Sequence, residues 1–147
     1  NKRRIIRAIE VTKVTGIPFS QFQKKDTSTY RVLLLGICPE ERTTLYRHID
    51  ERIDVRMRQG MIREVTNLIS KGVSKKWLKS LGLEYRFVTE YLQGPQTKNA
   101  RIEMIQRLKY ASHDFARRQL TWFKRNPDIH WISSRNSAEK LIKAFLV

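Results

Sequence analysis

Two arginines on one helical stretch, Arg52 and Arg56, are the residues of this chain whose types and placement first point to chemistry. In "LYRHIDERIDVRM", a pitch of about 100° per residue gathers Leu45, Tyr46, Ile49, Ile53 and Met57 into one apolar arc. Arg56 falls inside that arc and Arg52 at its border, while Arg47, Asp50, Glu51, Asp54 and Arg58 take the opposite, solvated side. A long cation at such a border commonly packs its stem and leaves its charged head in water. The alternative is a guanidinium aimed inward at a phosphate, for which its planar fork of donors is well suited. Position alone favours the first account.

A second stretch, "FARRQLTWFKRNPDIHW", sets an amide among apolar residues. Ile105, Leu108, Ser112, Phe115, Gln119, Trp122 and Phe123 share one arc, so Phe115 and Trp122 are expected to be largely buried. Gln119 in that stripe costs stability unless its amide is hydrogen-bonded. Arg118 flanks the stripe and Arg117 points away from it.

Further cations gather in three runs: Lys2, Arg3, Arg4 and Arg7; Lys71, Lys75, Lys76 and Lys79; and Arg101, Arg107, Lys109, Arg117, Arg118, Lys124 and Arg125. Any one run reads as a solvated face. Three runs with Tyr, Trp and Phe between them fit a groove that tracks phosphates. The balance of the chain agrees: 30 Lys and Arg against 14 Asp and Glu give a net charge of +16 over 147 residues. A field of that sign favours nucleic acid first and an anionic membrane surface second. No apolar run approaches the roughly 18 residues of a membrane span, and no signal peptide opens the chain. Cys38 is the one cysteine, which excludes an internal disulfide and fits a reducing compartment. His48, His113 and His130 lack the spacing of a zinc site. There is no phosphate-binding GxxxxGK[ST] loop, no Ser/His/Asp order and no paired carboxylate in a plausible cleft.

These residues must be positioned by a helix-rich chain with one or two strands. "RRIIRAIEVTKVTG" reads as a helix with Ile5, Ile6, Ile9 and Val14 inward, stopped by Gly16. A loop over "GIPFSQFQKKDTSTY" follows. Arg31–Ile37 is a continuous apolar run, consistent with a strand buried on both faces. One buried strand cannot form a sheet alone, so its partners are expected outside the sequence. Pro39, Glu40 and Glu41 suit the first turn of the next helix, which Gly60 interrupts. A helix ends at Gly72, a basic segment follows, and a short helix stops at Gly94-Pro95. The longest helix, from about Asn99 to Arg125, precedes a possible edge strand "IHWIS" and a closing helix. The chain opens at Asn1 as if mid-helix, without an initiator Met, which points to a piece of something longer.

Four blocks in order, "NKRRIIRAIEVTKVTGIPFSQFQ", "LYRHIDERIDVRMRQGMIREVTNLISKG", "LGLEYRFVTEYLQG" and "FARRQLTWFKRNPDIHWI", resemble the tRNA dimethylallyltransferase (tRNA isopentenyltransferase) family. The resemblance implies the C-terminal part of an α/β enzyme related to P-loop nucleotide kinases. Residues 1–25 would end an inserted helical region that grips tRNA, and residues 26–147 would belong to the catalytic core. The implied reaction moves a dimethylallyl group from dimethylallyl diphosphate to N6 of the adenosine 3′ of the tRNA anticodon. Arg52 matches the arginine that the family sets against the diphosphate, which reverses the preference for snorkelling. Arg3, Arg4 and Arg7 match one tRNA-contacting segment and Lys79 a second. Arg117, Arg118 and Gln119 match the helix beside the channel. The kinship also implies nucleotide and ATP binding, Mg2+ (with no ligand identifiable in this chain), a cytoplasmic location, and a monomer as the full enzyme. The family's P-loop and catalytic aspartate are absent, so the fragment alone is expected to be inactive. Lys2 stands where an Asn-Pro-Arg-Arg motif has proline, and "GLEYRF" is longer than the commoner Gly-Tyr-Lys/Arg pattern. The rival reading is a non-enzymatic basic helical RNA-binding module; a helix-turn-helix DNA binder lacks its expected pattern.

Overall fold

A computed structural model describes residues 1–23, 30–39 and 41–146, with only the backbone described at position 23. Residues 1–32 and 33–147 form two compact units.

In the first unit, α1 (Lys2–Thr15) ends at Gly16, whose left-handed backbone (φ 69°) lets its N–H bond to Thr12 O. Asn1, expected within a helix, instead caps its start, its Oδ1 accepting from the Arg3 N–H at 3.2 Å. Ile5, Ile6, Ile9 and Val14, expected inward, are all exposed. The short 3-10 turn Phe19–Gln23 packs on α1 but cannot cover a stripe of that length. The expected loop is described only on either side of residues 24–29.

The second unit is built around a helical core. Its elements are β1 (Leu34–Ile37), α2 (Arg42–Arg58), α3 (Met61–Ser70), α4 (Lys75–Ser80), α5 (Leu83–Gln93), α6 (Lys98–Phe123), β2 (Ile129–Ile132) and α7 (Arg135–Leu146). The helix α2 begins after Glu41, which holds extended backbone, so Pro39 precedes the first turn rather than entering it; Glu40 lies outside the described residues. Gly60 joins α2 to α3 at φ 101°, a conformation that an L side chain rarely adopts. The basic segment before Gly82 is itself helical, as α4. Helix α5 packs against α3, α4 and α6, while α2 packs against α3 and α6.

Their shared core is Ile53, Met57, Met61, Val65, Leu78, Phe87, Val88, Met104 and Leu108. The apolar arc of α2 therefore points inward as its periodicity requires. Each such side chain stabilises the unit by roughly 1.5–3 kcal/mol through burial. Thr89 is also fully buried, and its hydroxyl has no hydrogen-bond partner among the described residues.

Two expectations about faces need correction. Asp50 and Asp54 are not merely solvated: Asp50 Oδ1 lies 2.8 Å from His113 Nε2, and Asp54 Oδ2 accepts from Lys109 Nζ at 2.8 Å. Phe115 and Trp122 are 48% and 67% exposed rather than buried. The core packed on α6 ends near Ala111, so the later turns of its apolar stripe lie beyond that core.

The strand expectation is corrected as well. β1 spans only Leu34–Ile37, and Ile37 is 83% exposed, so it is not covered on both faces. Its partner lies within the chain: β2 pairs with it in parallel, Leu34 opposite Ile129 and Ile37 opposite Ile132. Gly36 makes that pairing fit, because a Cβ there would come within 2.7 Å of Ile129 Cγ2 and 2.8 Å of Trp131 Cε3.

Candidate functional site

Between α2, α5 and α6 lies a cavity of about 710 Å³. Helix α2 brings Ile49, Ile53 and Arg52; the end of α4 brings Lys79; α5 brings Glu84 and Arg86; and α6 brings Ser112, Phe115 and Gln119. The spacing of Ser112, Phe115 and Gln119 sets them on one face of α6, turn by turn, opposite Arg52. The wall thus combines three cations with apolar surface from Ile53, Leu83 and Phe115. An anionic group and an adjoining apolar group could be held there together.

The two arginines of α2 differ in their surroundings. Arg52 is 72% exposed and donates through Nη2 to Glu84 Oε1 at 3.4 Å. Arg56 is 35% exposed; its Nη2 donates to Met61 Sδ at 3.1 Å and lies 3.9 Å from Glu84 Oε2. Arg56 is therefore held by packing, whereas Arg52 has its exposed head in the cavity mouth, paired with the mostly covered Glu84. Beside them, the Tyr85 hydroxyl donates to Glu64 Oε1 at 2.5 Å. That bond, with burial and the charge of Glu64, holds the phenol above its ordinary pKa, against the opposing pull of Arg56.

The residues singled out in the sequence do not all converge. Arg52, Lys79 and Gln119 line the one cavity. Gln119 is exposed rather than enclosed in its stripe, so water can satisfy its amide, and it also borders a second, more apolar cavity of about 410 Å³ beside β1 and β2. Arg117 and Arg118 line a separate shallow depression with Trp122 and Arg125. Arg117 pairs with Asp114 at 3.0 Å, and the Arg118 guanidinium stands 6.0 Å from the Phe115 ring centre. Arg3, Arg4 and Arg7 are exposed on α1 of the first unit, with Arg7 3.5 Å from Glu10.

Glu84 and Arg86 were not singled out by sequence reasoning. The available signal was "LEYR" itself: a carboxylate and a cation two positions apart in the first turn of a helix, where an anion is favoured by the helix dipole. Among the described residues, no three His, Cys, Asp or Glu side chains group closely enough to hold a metal ion. No described helix is long and apolar enough to cross a membrane.

Comparison with known proteins bears on this arrangement. The model of the family described as IPP transferase matches residues 1–126. The tRNA dimethylallyltransferase of Pelotomaculum thermopropionicum is 37% identical over 95% of this chain and 44% of its own length. That of Desulforudis audaxviator is 40% identical over 90% of this chain and 42% of its own length. Among solved structures, the full-length tRNA isopentenylpyrophosphate transferase of Bacillus halodurans superposes with a TM-score of 0.67 at 29% identity, over 99% of this chain and 44% of that one. A tRNA delta(2)-isopentenylpyrophosphate transferase of Staphylococcus epidermidis gives 0.59 at 31% identity, over 90% and 43%. The chain spans less than half the length of these curated relatives.

Proposed function

We propose that this chain, which belongs to the IPP transferase family, serves as the C-terminal portion of a tRNA dimethylallyltransferase. The reaction transfers a dimethylallyl group from dimethylallyl diphosphate to N6 of the adenosine 3′ of the anticodon. The observation that carries this reading is the cavity in which Arg52, Lys79 and Arg86 stand beside the apolar side chains of Ile53, Leu83 and Phe115. A prenyl diphosphate has that same division, an anionic head on an apolar tail.

In this reading the bond between the allylic carbon and the diphosphate oxygen breaks as the bond from N6 to that carbon forms. Negative charge grows on the departing diphosphate, and Arg52 stabilises it with two parallel donors. The proton lost from the amine goes to a base supplied by the rest of the enzyme. Gln119 and Phe115 wall the space where an extruded adenine would meet the allylic carbon. Lys79, Arg117 and Arg118 contact tRNA from the second unit, and Arg3, Arg4 and Arg7 from the first. Residues 1–25 then serve tRNA binding and residues 26–147 the catalytic core. Nucleotide binding belongs to the enzyme's remaining portion, and the complete enzyme acts as a cytoplasmic monomer. Mg2+ would offset diphosphate charge, but the described residues do not form a ligand set for it, and none of the roles given to this chain uses it.

The test is labelled dimethylallyl transfer to tRNA by the complete enzyme. Arg52→Lys keeps the charge but loses the fork, so turnover should fall steeply with thermal stability little changed. Near-wild-type transfer by Arg52→Ala would remove Arg52 from the reaction. The 147-residue chain alone should bind RNA without prenylating it; measurable transfer would contradict an incomplete active site.

A further inference from the structure

Glu84 brings a carboxylate into a cavity wall that otherwise presents Arg52, Lys79 and Arg86. Its two oxygens face two arginines one helical turn apart: Oε1 toward Arg52 at 3.4 Å and Oε2 toward Arg56 at 3.9 Å. The Glu84 side chain is only 21% exposed, against 72% for Arg52. The carboxylate is thus the fixed member of the pair and the Arg52 head the movable one. Its place in the first turn of α5 sets it at the positive end of that helix's dipole.

We infer that Glu84 is a built-in competitor for the anion at Arg52, a positioning residue that weakens the cavity's hold on diphosphate. The inference rests on the reading in which Arg52 faces a diphosphate. Any phosphoryl oxygens that engage the Arg52 fork must displace the Glu84 carboxylate or lie beside it. Either way the ligand meets a fixed negative charge in a partly enclosed space, where screening is weaker than in bulk water. The pair itself is exposed on the arginine side and holds only weakly, so displacement is feasible. Such a device suits a site that must release diphosphate after each turnover, because a wall of three cations without it would retain the product. A merely structural tie between α2 and α5 would behave differently: its loss would lower stability and leave anion affinity unchanged.

The experiment is a calorimetric titration of the complete enzyme with inorganic diphosphate, with far-UV circular dichroism as the control for folding. Glu84→Gln should bind diphosphate about three- to fivefold more tightly than wild type, the range expected for removing one partly exposed opposing charge. The gain should vanish when Arg52→Ala is added. Glu84→Asp, whose shorter arm withdraws the carboxylate from Arg52, should bind more tightly than wild type too, which keeps the test open should Gln disturb the packing. Unchanged or weaker binding by the Gln or Asp variants, a gain that survives Arg52→Ala, or no diphosphate binding by any variant would each overturn the inference. The function is tested separately: an Arg52→Ala enzyme that still transfers dimethylallyl defeats the proposed reaction, while a Glu84-dependent affinity for diphosphate stays measurable.

Discussion

His113 on α6 and Asp50 on α2 meet across their two helices, Nε2 to Oδ1, at 2.8 Å. The Tyr46 ring stacks on the same imidazole at 4.1 Å, its plane tilted by only 8°. One turn along, Lys109 donates to Asp54 at 2.8 Å. Because the partners ascend on one helix as they descend on the other, these contacts lock an antiparallel register between α2 and α6. That register determines which residues face Arg52 across the cavity.

The Lys109–Asp54 pair should be measurable as a coupling. Lys109 is 17% exposed, so removing Asp54 leaves a largely covered ammonium without its partner. Asp54→Ala should lower unfolding free energy by about 1–2 kcal/mol. In a double-mutant cycle with Lys109→Met, a coupling of about 1 kcal/mol is expected from urea denaturation. A coupling near zero would make the contact incidental.

Thr89 supplies a prediction of opposite sign. Its buried hydroxyl lacks a partner among the described residues, a condition that costs about 1–3 kcal/mol. Thr89→Val keeps the shape and removes the polar atom, so the urea midpoint should rise. A lower midpoint would mean that the hydroxyl is satisfied in solution.

Tyr85 should make stability depend on alkaline pH. Its phenol pKa is raised, first by the hydrogen bond to Glu64 and then by burial and by the charge of Glu64. The folded state therefore favours the neutral phenol. That contribution is complete below the unfolded value, about pH 10, and is lost as pH rises through the higher folded value. Thermal melts from neutral pH to above that value should fall more steeply for wild type than for Tyr85→Phe. Parallel curves would argue against the bond.

RNA binding by the isolated chain should be dominated by phosphate contacts. With a net charge of +16, affinity for an anticodon stem-loop should drop steeply as salt rises and discriminate little between RNAs. Base readout of a single-stranded loop needs stacking and edge contacts placed by a complete binding site. Salt-insensitive, selective binding would count against this account.

The helices of the second unit were legible because their cores recur every three or four residues and because Gly60, Gly72 and Gly94-Pro95 punctuate them. Ile53, Met57 and Leu108 follow directly from that pattern. Periodicity says which face is apolar but not what covers it, which is why Phe115, Trp122 and the isoleucines of α1 came out exposed. The pairing of β1 with β2 had no local signature, since neither strand carries information about the other. Helical placement singled out Arg52 and Gln119, motif resemblance gave them roles and added Lys79, and only the packing of α2, α4 and α6 puts them on one wall. Glu84 stayed illegible for a related reason: its partners sit on another helix, far away in sequence.

The parallel sheet has one consequence for the order in which the chain assembles. Leu34 and Ile129 pair although all of α2 to α6 lies between them. Bringing the strands together means closing a very long loop, an entropic cost met only after shorter-range contacts exist. The helical layer is therefore expected to organise first, with the strands zipping last as a clasp over finished work. Weakening the clasp, for instance by Trp131→Ala, should hasten unfolding and scarcely slow refolding in stopped-flow traces. Slowed refolding would put the strands in the nucleus instead.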